Sequence, residues 1–191
     1  FFSLKRNIRN LNLIMPEWFF IDPKTDALKT NVDVQGYNLM KKSGVPIMPM
    51  LSNNFEREFR SEAIGRILHN EKKRKKIINE VLAQCIKNKF VGINLDLESL
   101  NESSDKYLIQ FVREFSEAFH AKGLLVTQDI MPFNEDYNYK ELAKYVDYLV
   151  LMAYDEYSMS SDPGPVSSQK WIEAALDKTA KDVPNNKIIL G

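Results

Sequence analysis

The chain has 191 residues, 44% of them hydrophobic and 27% charged, which is enough for one domain with a sizeable core. Its 26 basic and 26 acidic residues cancel, so net charge gives no reason to expect binding to nucleic acid or to an anionic membrane. The single cysteine excludes an internal disulfide, and no apolar run is long enough to span a membrane. We therefore predict one globular domain over residues 1–191. Because the chain begins at Phe1 rather than at methionine, we expect it to belong to a longer protein with possible further domains.

Strand-like and helix-like segments alternate along the chain, after a short predicted helix over residues 3–10. Apolar or alternating runs predict strands over residues 11–21, 45–51, 90–98, 124–132, 147–157 and 187–191. Amphipathic patterns predict helical regions over residues 32–44, 55–89, 103–123, 139–146 and 168–182. The basic run at 71–77 is predicted to be a solvated helix face. Because a parallel pair needs a crossover of a dozen or more residues, this alternation favours an α/β fold with a parallel sheet.

The strand spacing indicates a barrel. Six predicted strands in 191 residues give about 32 residues per repeat, and eight such repeats fill the roughly 250 residues of a (β/α)8 TIM barrel. We therefore predict an incomplete TIM barrel that holds strands two to seven and lacks the first and last strands. The alternative is an open doubly wound sheet, but no predicted strand is followed by a glycine-rich phosphate-binding turn.

The predicted strand FVGINLDLE, residues 90–98, carries polar groups on one face. Asn94, Asp96 and Glu98 alternate with apolar residues, so in a barrel they would point inward and rise toward the carboxyl-terminal mouth. Asp96 and Glu98 lie roughly 6.6 Å apart along the strand and are close enough to raise one carboxyl pKa. A raised pKa suits a general acid, so we predict that Glu98 donates a proton and that Asp96 hydrogen-bonds to it. The alternative is a hydrogen-bonded polar strand without chemistry, although burying two carboxyl groups is costly.

The same strand resembles a family motif. The segment VGINLDLE is similar to the DxxDxDxE motif on the fourth barrel strand of family 18 glycoside hydrolases, the chitinases and their relatives. Asp96 and Glu98 match the third aspartate and the acid, whereas Val91 and Asn94 replace the first two aspartates. The amide of Asn94 removes one negative charge from the family pattern.

A second motif lies in register with the first. The segment LMAYDEY resembles the family's MxYD segment on the sixth strand, with Met152, Tyr154 and Asp155 at the motif positions. The run MAYDEY with the following DPGPVSSQKW is most similar to the family-18-like module of bacterial proteins that also carry polysaccharide deacetylase-like and glycosyltransferase domains. Peptidoglycan-acting family members of spore formers are nearly as similar.

The resemblance implies a retaining glycosidase with substrate assistance, acting on β-linked polymers that contain N-acetylglucosamine. In that mechanism the substrate's acetamido oxygen attacks the anomeric carbon, and Glu98 first protonates the glycosidic oxygen and then activates water. Asp96 would orient the acetamido N–H, and Tyr154 would hydrogen-bond its carbonyl. The other motif residues are implied to bind substrate: Asn94, Met152 and Asp155. The resemblance also implies no metal or cofactor, a polysaccharide rather than a nucleic acid as partner, and an extracellular or cell-envelope location.

Some further positions fall near the predicted mouth. Gln128 and Asp129 lie toward the end of the fifth strand, and Asn53 lies just after the third. Two interpretations stay equally open: these residues line the cleft, or they pack the end of the barrel. Trp18, near the end of the second strand, is a candidate for stacking on a sugar ring.

Two other functions stay open. A chitinase-like barrel that binds glycans without cleaving them is the main alternative, because the neighbours of Glu98 depart from the family pattern. An unrelated barrel enzyme such as an aldolase would need a Schiff-base lysine or a phosphate site at the strand ends, and the sequence indicates neither.

Overall fold

The computed structural model describes residues 1–100, 106–158 and 161–191. The strands in these ranges are β1 (Glu17–Ile21), β2 (Leu28–Thr30), β3 (Met50–Ser52), β4 (Asn54–Phe55), β5 (Glu58–Phe59), β6 (Gly92–Asp96), β7 (Leu125–Ile130), β8 (Tyr148–Leu151) and β9 (Ile188–Leu190). The helices are α1 (Phe2–Asn7), α2 (Val34–Ser43), α3 (Ser61–Leu68), α4 (Glu71–Asn88), α5 (Lys106–His120), α6 (Tyr139–Leu142) and α7 (Gln169–Thr179). Short 3₁₀ turns lie at Ile8–Asn10 and Asn185–Lys187.

The main sheet has seven strands in the order β2-β1-β3-β6-β7-β8-β9. All neighbours from β1 to β9 pair in parallel, and only β2 is antiparallel, against β1. The parallel strands follow one another in chain order, without the reversal that defines a doubly wound sheet. The prediction of an α/β fold with a largely parallel sheet is therefore confirmed, and the sequential order is that of consecutive strands in a TIM barrel.

The helices cover one face of the sheet. Ile93 and Leu95 of β6 are fully buried there, in one core cluster with the aromatic residues of α5. α5 presents Phe111, Phe115 and Phe119 at helical spacing, and all three are fully buried. Local caps fix where other helices begin: for example, the Asn70 side chain accepts a hydrogen bond from the Lys73 amide at the start of α4. The opposite sheet face is thereby left for polar side chains.

The basic run at 71–77 forms the first half of α4, but only part of it is a solvated face. Arg74 is only 4% exposed, and its guanidinium forms two hydrogen bonds to the Glu114 carboxylate of α5, at 2.9 and 3.1 Å. Lys73 reaches Asp26 at 2.7 Å. The run therefore ties α4 to its neighbours. In the described residues, no helix has both the length and the apolarity needed to cross a membrane.

Several predicted boundaries are wrong for local reasons. The helical region predicted from residue 55 begins with a β4–β5 hairpin, because Glu56 and Arg57 both adopt positive φ angles, of 54° and 67°, in a tight turn. The strand predicted over 147–157 ends at Leu151, and Asp155 has a φ of 64°. The short β2 was not predicted, because three largely exposed residues carry no periodic pattern. Residues 103–105 of the predicted helix 103–123 lie outside the described residues.

Gly92 shows how closely β6 and β7 approach at the base of the polar face. A Cβ atom on Gly92 would lie 2.2 Å from the backbone oxygen of Leu125. A glycine is therefore required at this point of the strand for steric reasons. The first functional side chain on this face of β6 is that of Asn94, two residues further along the strand.

Candidate active site

Polar side chains gather on the face of the sheet that the helices leave free, at the carboxyl ends of three parallel strands. The register places Ser52 of β3 beside Asp96 of β6, and Asn94 of β6 beside Thr127 of β7. Since side chains alternate along a strand, Asp129 shares the face of Thr127. The carboxyl ends of parallel strands are where barrel proteins carry their sites.

Asp96 and Glu98 form a hydrogen-bonded pair at the end of β6. The Asp96 carboxylate accepts a hydrogen bond from Ser52 Oγ at 2.8 Å and a second from the protonated Glu98 carboxyl. Asp96 is buried, whereas Glu98 lies just beyond the strand and is partly exposed. Glu98 can therefore present a proton toward solvent or a ligand while Asp96 holds it from below.

The backbone that carries Glu98 is fixed from two sides. Asn53 donates from Nδ2 to the Glu98 carbonyl at 2.8 Å and accepts from the Glu98 amide at Oδ1, at 2.9 Å. The Tyr137 hydroxyl donates to the Leu97 carbonyl at 2.8 Å. Asn53 is fully buried, so these bonds are shielded from competition with water. The acid is thereby positioned by the segments that follow β3 and β7, the two strands that neighbour β6.

Asn94 connects β6 to β7. Its Nδ2 donates to Asp129 Oδ2 at 2.7 Å, and its Oδ1 accepts from Thr127 Oγ1 at 2.5 Å. Asn94, Thr127 and Asp129 are all nearly or fully buried. The polar face thus carries two hydrogen-bonded groups, Ser52–Asp96–Glu98 across β3 and β6 and Asn94–Thr127–Asp129 across β6 and β7.

Burial raises the pKa values of the three carboxyl groups, and neighbouring charges raise those of Glu98 and Asp129 further. Burial, followed by the charge of Asp96 and the hydrogen bond to it, raises the pKa of Glu98 to about 8, with Asp129 and Asp155 adding to the effect. Burial and the charge of Asp96 raise the pKa of Asp129 to about 7. Burial also raises the pKa of Asp96, against the opposing effect of its two hydrogen bonds. Near neutral pH, Glu98 is therefore a protonated carboxyl, as a general acid requires.

The second motif lies beside this network. Met152 is buried at the end of β8, and Tyr154 is 43% exposed. Burial, then the charges of Asp129, Asp96, Glu98 and Asp155, raises the pKa of Tyr154 to about 12, so its hydroxyl stays protonated and can donate. The charge of Asp155 acts on both Glu98 and Tyr154. The structure thus brings Tyr154 and Asp155 to the carboxyl groups of β6, as the two motifs predicted.

Two predicted substrate contacts are corrected. Gln128 is 0% exposed and pairs in register with Leu95, so it lies on the helix-covered face, where its Nε2 donates to the Asp129 carbonyl at 2.8 Å. Trp18 is 5% exposed and packs against Tyr37 and Phe90, with ring centroids 6.1 Å apart in each pair. Gln128 is on the wrong face by strand alternation, and a register shift between Glu17 and Phe19 turns Trp18 into the core.

Other residues join the site without having been predicted. Ser52 and Thr127 lie on the polar face by register, a signal that strand alternation carried in the sequence. Glu17 of β1 pairs in register with Met50 of β3, which in turn pairs with Asn94 of β6. Burial, followed by the charge of Asp96, raises the pKa of Glu17. Among residues 1–100, 106–158 and 161–191, no three His, Cys, Asp or Glu side chains are arranged to hold a metal ion.

The carboxyl network predicts a specific pH dependence of stability. The folded-state pKa values of Glu98 and Asp129, about 8 and about 7, lie above their ordinary values of 4.5 and 3.8. Their contribution to stability is therefore complete at low pH and is lost as pH rises through 7 to 8. The full shifts would lower the free energy of unfolding by about 7 kcal/mol between pH 5 and pH 9; because solvent screens the partly exposed Glu98 and the groups interact, we expect about half of that, on the order of 3 kcal/mol, measured by urea denaturation.

A matched variant checks the cause of this loss. Asp129→Asn removes one of the titrating groups, so its unfolding free energy should depend less on pH over the same range. An equally steep decline in the variant, or a flat profile in the unaltered protein, would contradict the raised pKa of Asp129.

The parallel sheet with a carboxyl network at its carboxyl edge defines the class of barrel proteins whose sites lie at the strand ends. Residues 20–191 match the family model described as glycosyl hydrolases family 18. The chain belongs to this family. The resemblance drawn from the two motifs is therefore confirmed.

Curated relatives come from Bacillus subtilis. The chain is 25% identical to "Uncharacterized glycosylase YvbX" over 200 residues, which covers 99% of this chain and 58% of the relative. It is 27% identical to the "Cortical fragment-lytic enzyme" over 152 residues, covering 74% of this chain and 35% of the relative. The chain thus spans roughly a third to three fifths of the length of these two relatives.

Solved structures share the fold. A chitinase from Chromobacterium violaceum superposes with a TM-score of 0.88 at 24% identity, over 99% of this chain and 63% of that one. The spore cortex-lytic enzyme SleL from Bacillus cereus superposes with a TM-score of 0.90 at 20% identity, over 99% of this chain and 45% of that one. At these identities the likeness concerns the fold, and it agrees with the incomplete TIM barrel predicted from strand spacing.

Proposed function

We propose that the protein is a glycoside hydrolase that cleaves β-linked polysaccharide containing N-acetylglucosamine, with Glu98 as general acid and base. The observation that carries the proposal is the hydrogen-bonded Asp96–Glu98 pair at the end of β6, in which Glu98 keeps its proton near neutral pH. Membership in glycosyl hydrolases family 18 supports the same activity.

The proposed reaction retains the anomeric configuration through substrate assistance. The acetamido oxygen of the sugar bonds to the anomeric carbon as the glycosidic bond breaks, and the Glu98 proton moves to the leaving oxygen. A water molecule then adds to the anomeric carbon while the Glu98 carboxylate takes one of its protons, which opens the cyclic intermediate and regenerates the acid. The substrate supplies the nucleophile, so one protein acid is enough.

Asp96 and Tyr154 are proposed to hold the acetamido group during both steps. The buried Asp96 carboxylate can accept the acetamido N–H and so favour attack by the oxygen, at the moment when Glu98 has released the proton it shared. The Tyr154 hydroxyl, kept protonated by its raised pKa, can donate to the acetamido oxygen. The proposed sugar contacts around them are the motif residues Met152 and Asp155. Asn94, the other residue predicted to bind substrate, is 0% exposed, and its amide is engaged with Thr127 and Asp129, so it supports the site from below.

The substrate is proposed to be a cell-envelope polysaccharide such as peptidoglycan, chitin or poly-N-acetylglucosamine. The names of similar proteins include a chitinase, a cortical fragment-lytic enzyme and a spore cortex-lytic enzyme. This substrate class implies action outside the cell or at the envelope. We further propose that residues 1–191 belong to one barrel domain whose partner is the polysaccharide itself.

A glycan-binding protein without hydrolysis is the second candidate. It is favoured by Asn94, since the family pattern has an aspartate where this chain has an uncharged amide. Under that hypothesis the protein would bind N-acetylated oligosaccharides and return them unchanged.

A product analysis separates the two candidates. We expect N-acetylglucosamine oligomers to be cleaved with the β-anomer as the first product detected by proton NMR, and the fully de-N-acetylated oligomers of the same length to stay intact. Poly-N-acetylglucosamine and peptidoglycan fragments tested in parallel identify the preferred polymer. Binding without cleavage of any N-acetylated polymer would favour the second candidate, and cleavage of the de-N-acetylated oligomers would contradict substrate assistance.

A further inference from the structure

Asn94 and Asp129 form a pair across two strands that the proposed chemistry does not use. Asn94 is on β6 and Asp129 on β7, and the hydrogen bond from Nδ2 to Oδ2 is 2.7 Å long. Both side chains are at most 3% exposed. A buried carboxylate is costly unless it is both hydrogen-bonded and paired with an opposite charge, and Asp129 faces an uncharged amide, so its position needs an explanation.

Thr127 fixes the direction of this pair. Its hydroxyl donates to Asn94 Oδ1 at 2.5 Å, so the Asn94 oxygen faces Thr127 and the Asn94 NH₂ group faces Asp129. An aspartate at position 94 would place two carboxylate oxygens 2.7 Å apart, a separation that only a shared proton allows. The amide at position 94 and the carboxyl group at position 129 are therefore complementary, because one donates the hydrogen bond that the other accepts.

We propose that Asp129 is a positioning residue that supplies, from the neighbouring strand, the carboxyl group that Asn94 removes from β6. The polar face then keeps three carboxyl groups, Asp96, Glu98 and Asp129, with one of them moved to β7. In this arrangement Asp129 acts through Glu98: its negative charge adds to burial and to the charge of Asp96 in disfavouring ionisation of Glu98.

The groups that face Asp129 support this role. From β6 it meets Asp96 and the hydrogen bond of Asn94, and its charge raises the pKa of Glu98. From the segment after β7 its charge acts on Tyr137, and from the end of β8 on Tyr154. Asp129 thus lies among carboxyl, phenol and amide groups: the charge of Asp96 raises its pKa, and the hydrogen bond from Asn94 opposes that rise.

The test exchanges the two side chains. Asp129→Asn keeps the shape of the side chain and an oxygen that can accept the Asn94 bond, so the variant should fold. It should move the alkaline limb of the pH profile of kcat/KM to lower pH by about one unit, because Glu98 loses a repelling charge. The double variant Asn94→Asp with Asp129→Asn reverses the bond and returns a carboxylate to β6, so the limb should move back toward that of the unaltered protein.

A second readout is independent of hydrolysis. The inference rests on the proposed function only in calling Glu98 the acid, and the titration of Glu98 can be followed by carbon-13 NMR of glutamate-labelled protein, with Glu98→Gln to identify the signal. A lower Glu98 midpoint in Asp129→Asn supports the charge role even if no glycan is cleaved. An unchanged midpoint, or a profile that loses height without moving along the pH axis, would overturn it, because a purely structural residue has that effect.

Discussion

Glu98→Gln lowers the rate of hydrolysis of N-acetylglucosamine oligomers by about 10²–10⁴-fold, the range that general acid–base catalysis contributes. Glutamine keeps the size and hydrogen-bonding capacity of the side chain but has no proton to transfer. It also leaves the backbone bonds between Asn53 and residue 98 in place. Oligosaccharide binding, measured by calorimetry, should therefore change little while kcat falls.

Leaving-group chemistry makes this expectation specific. A glycoside with a strongly acidic phenol as leaving group needs no proton for departure, so the first step should be largely restored in Glu98→Gln. Glu117→Gln is a matched control, because Glu117 is an exposed carboxyl group on α5 whose contact with Arg113 is loose, at 3.9 Å. If Glu98→Gln and Glu117→Gln retained the same activity, the assignment of the acid would be wrong.

The sequence predicted which residues of β6 share the polar face, but not which residues of the neighbouring strands face the site. Strand alternation placed Asn94, Asp96 and Glu98 on one face, and the structure has all three there. Alternation alone also separates Gln128 from Asp129, since adjacent residues on a strand point in opposite directions. Which of the two residues faces the site depends on the register of β7 against β6, which the sequence does not contain and the strand pairing supplies.

Other features lie beyond a single strand. The contacts of Asn53 with the Glu98 backbone join positions 45 residues apart, through the arrangement of β3 beside β6. The core position of Trp18 follows from an irregularity in the pairing of β1 with β3. Neither has a local sequence signal, because each arises from how one strand meets another.

The carboxyl network links the fold to the chemistry. Burial raises the pKa values of Asp96, Glu98 and Asp129, and the charge of Asp96 hinders the ionisation of Glu98 and Asp129. The charges that make Glu98 an acid near neutral pH therefore also make the folded protein less stable as pH rises. Stability and acidity share one cause, which is the placement of carboxyl groups on three adjacent parallel strands.

Asp96→Asn should reduce kcat by about 10²–10³-fold, the loss seen when one stabilising hydrogen-bond partner of a transition state is removed. The amide lacks the charge that would stabilise the positive charge developing on the acetamido group. Two further effects follow from the pair: Glu98 loses the ionised neighbour that raises its pKa, so the alkaline limb of the pH profile should move to lower pH. Thermal stability near pH 8 should rise, since a buried charge is removed.

The substrate series separates this defect from the loss of the acid. In Asp96→Asn the proton donor is intact and the attack of the acetamido oxygen is impaired, so a more acidic phenol as leaving group should restore much less activity than in Glu98→Gln. Asp177→Asn, an exposed position on α7, serves as the control for removing a carboxylate. Equal restoration in Asp96→Asn and Glu98→Gln would assign both residues to proton transfer and would contradict the role of Asp96 in holding the substrate's own nucleophile.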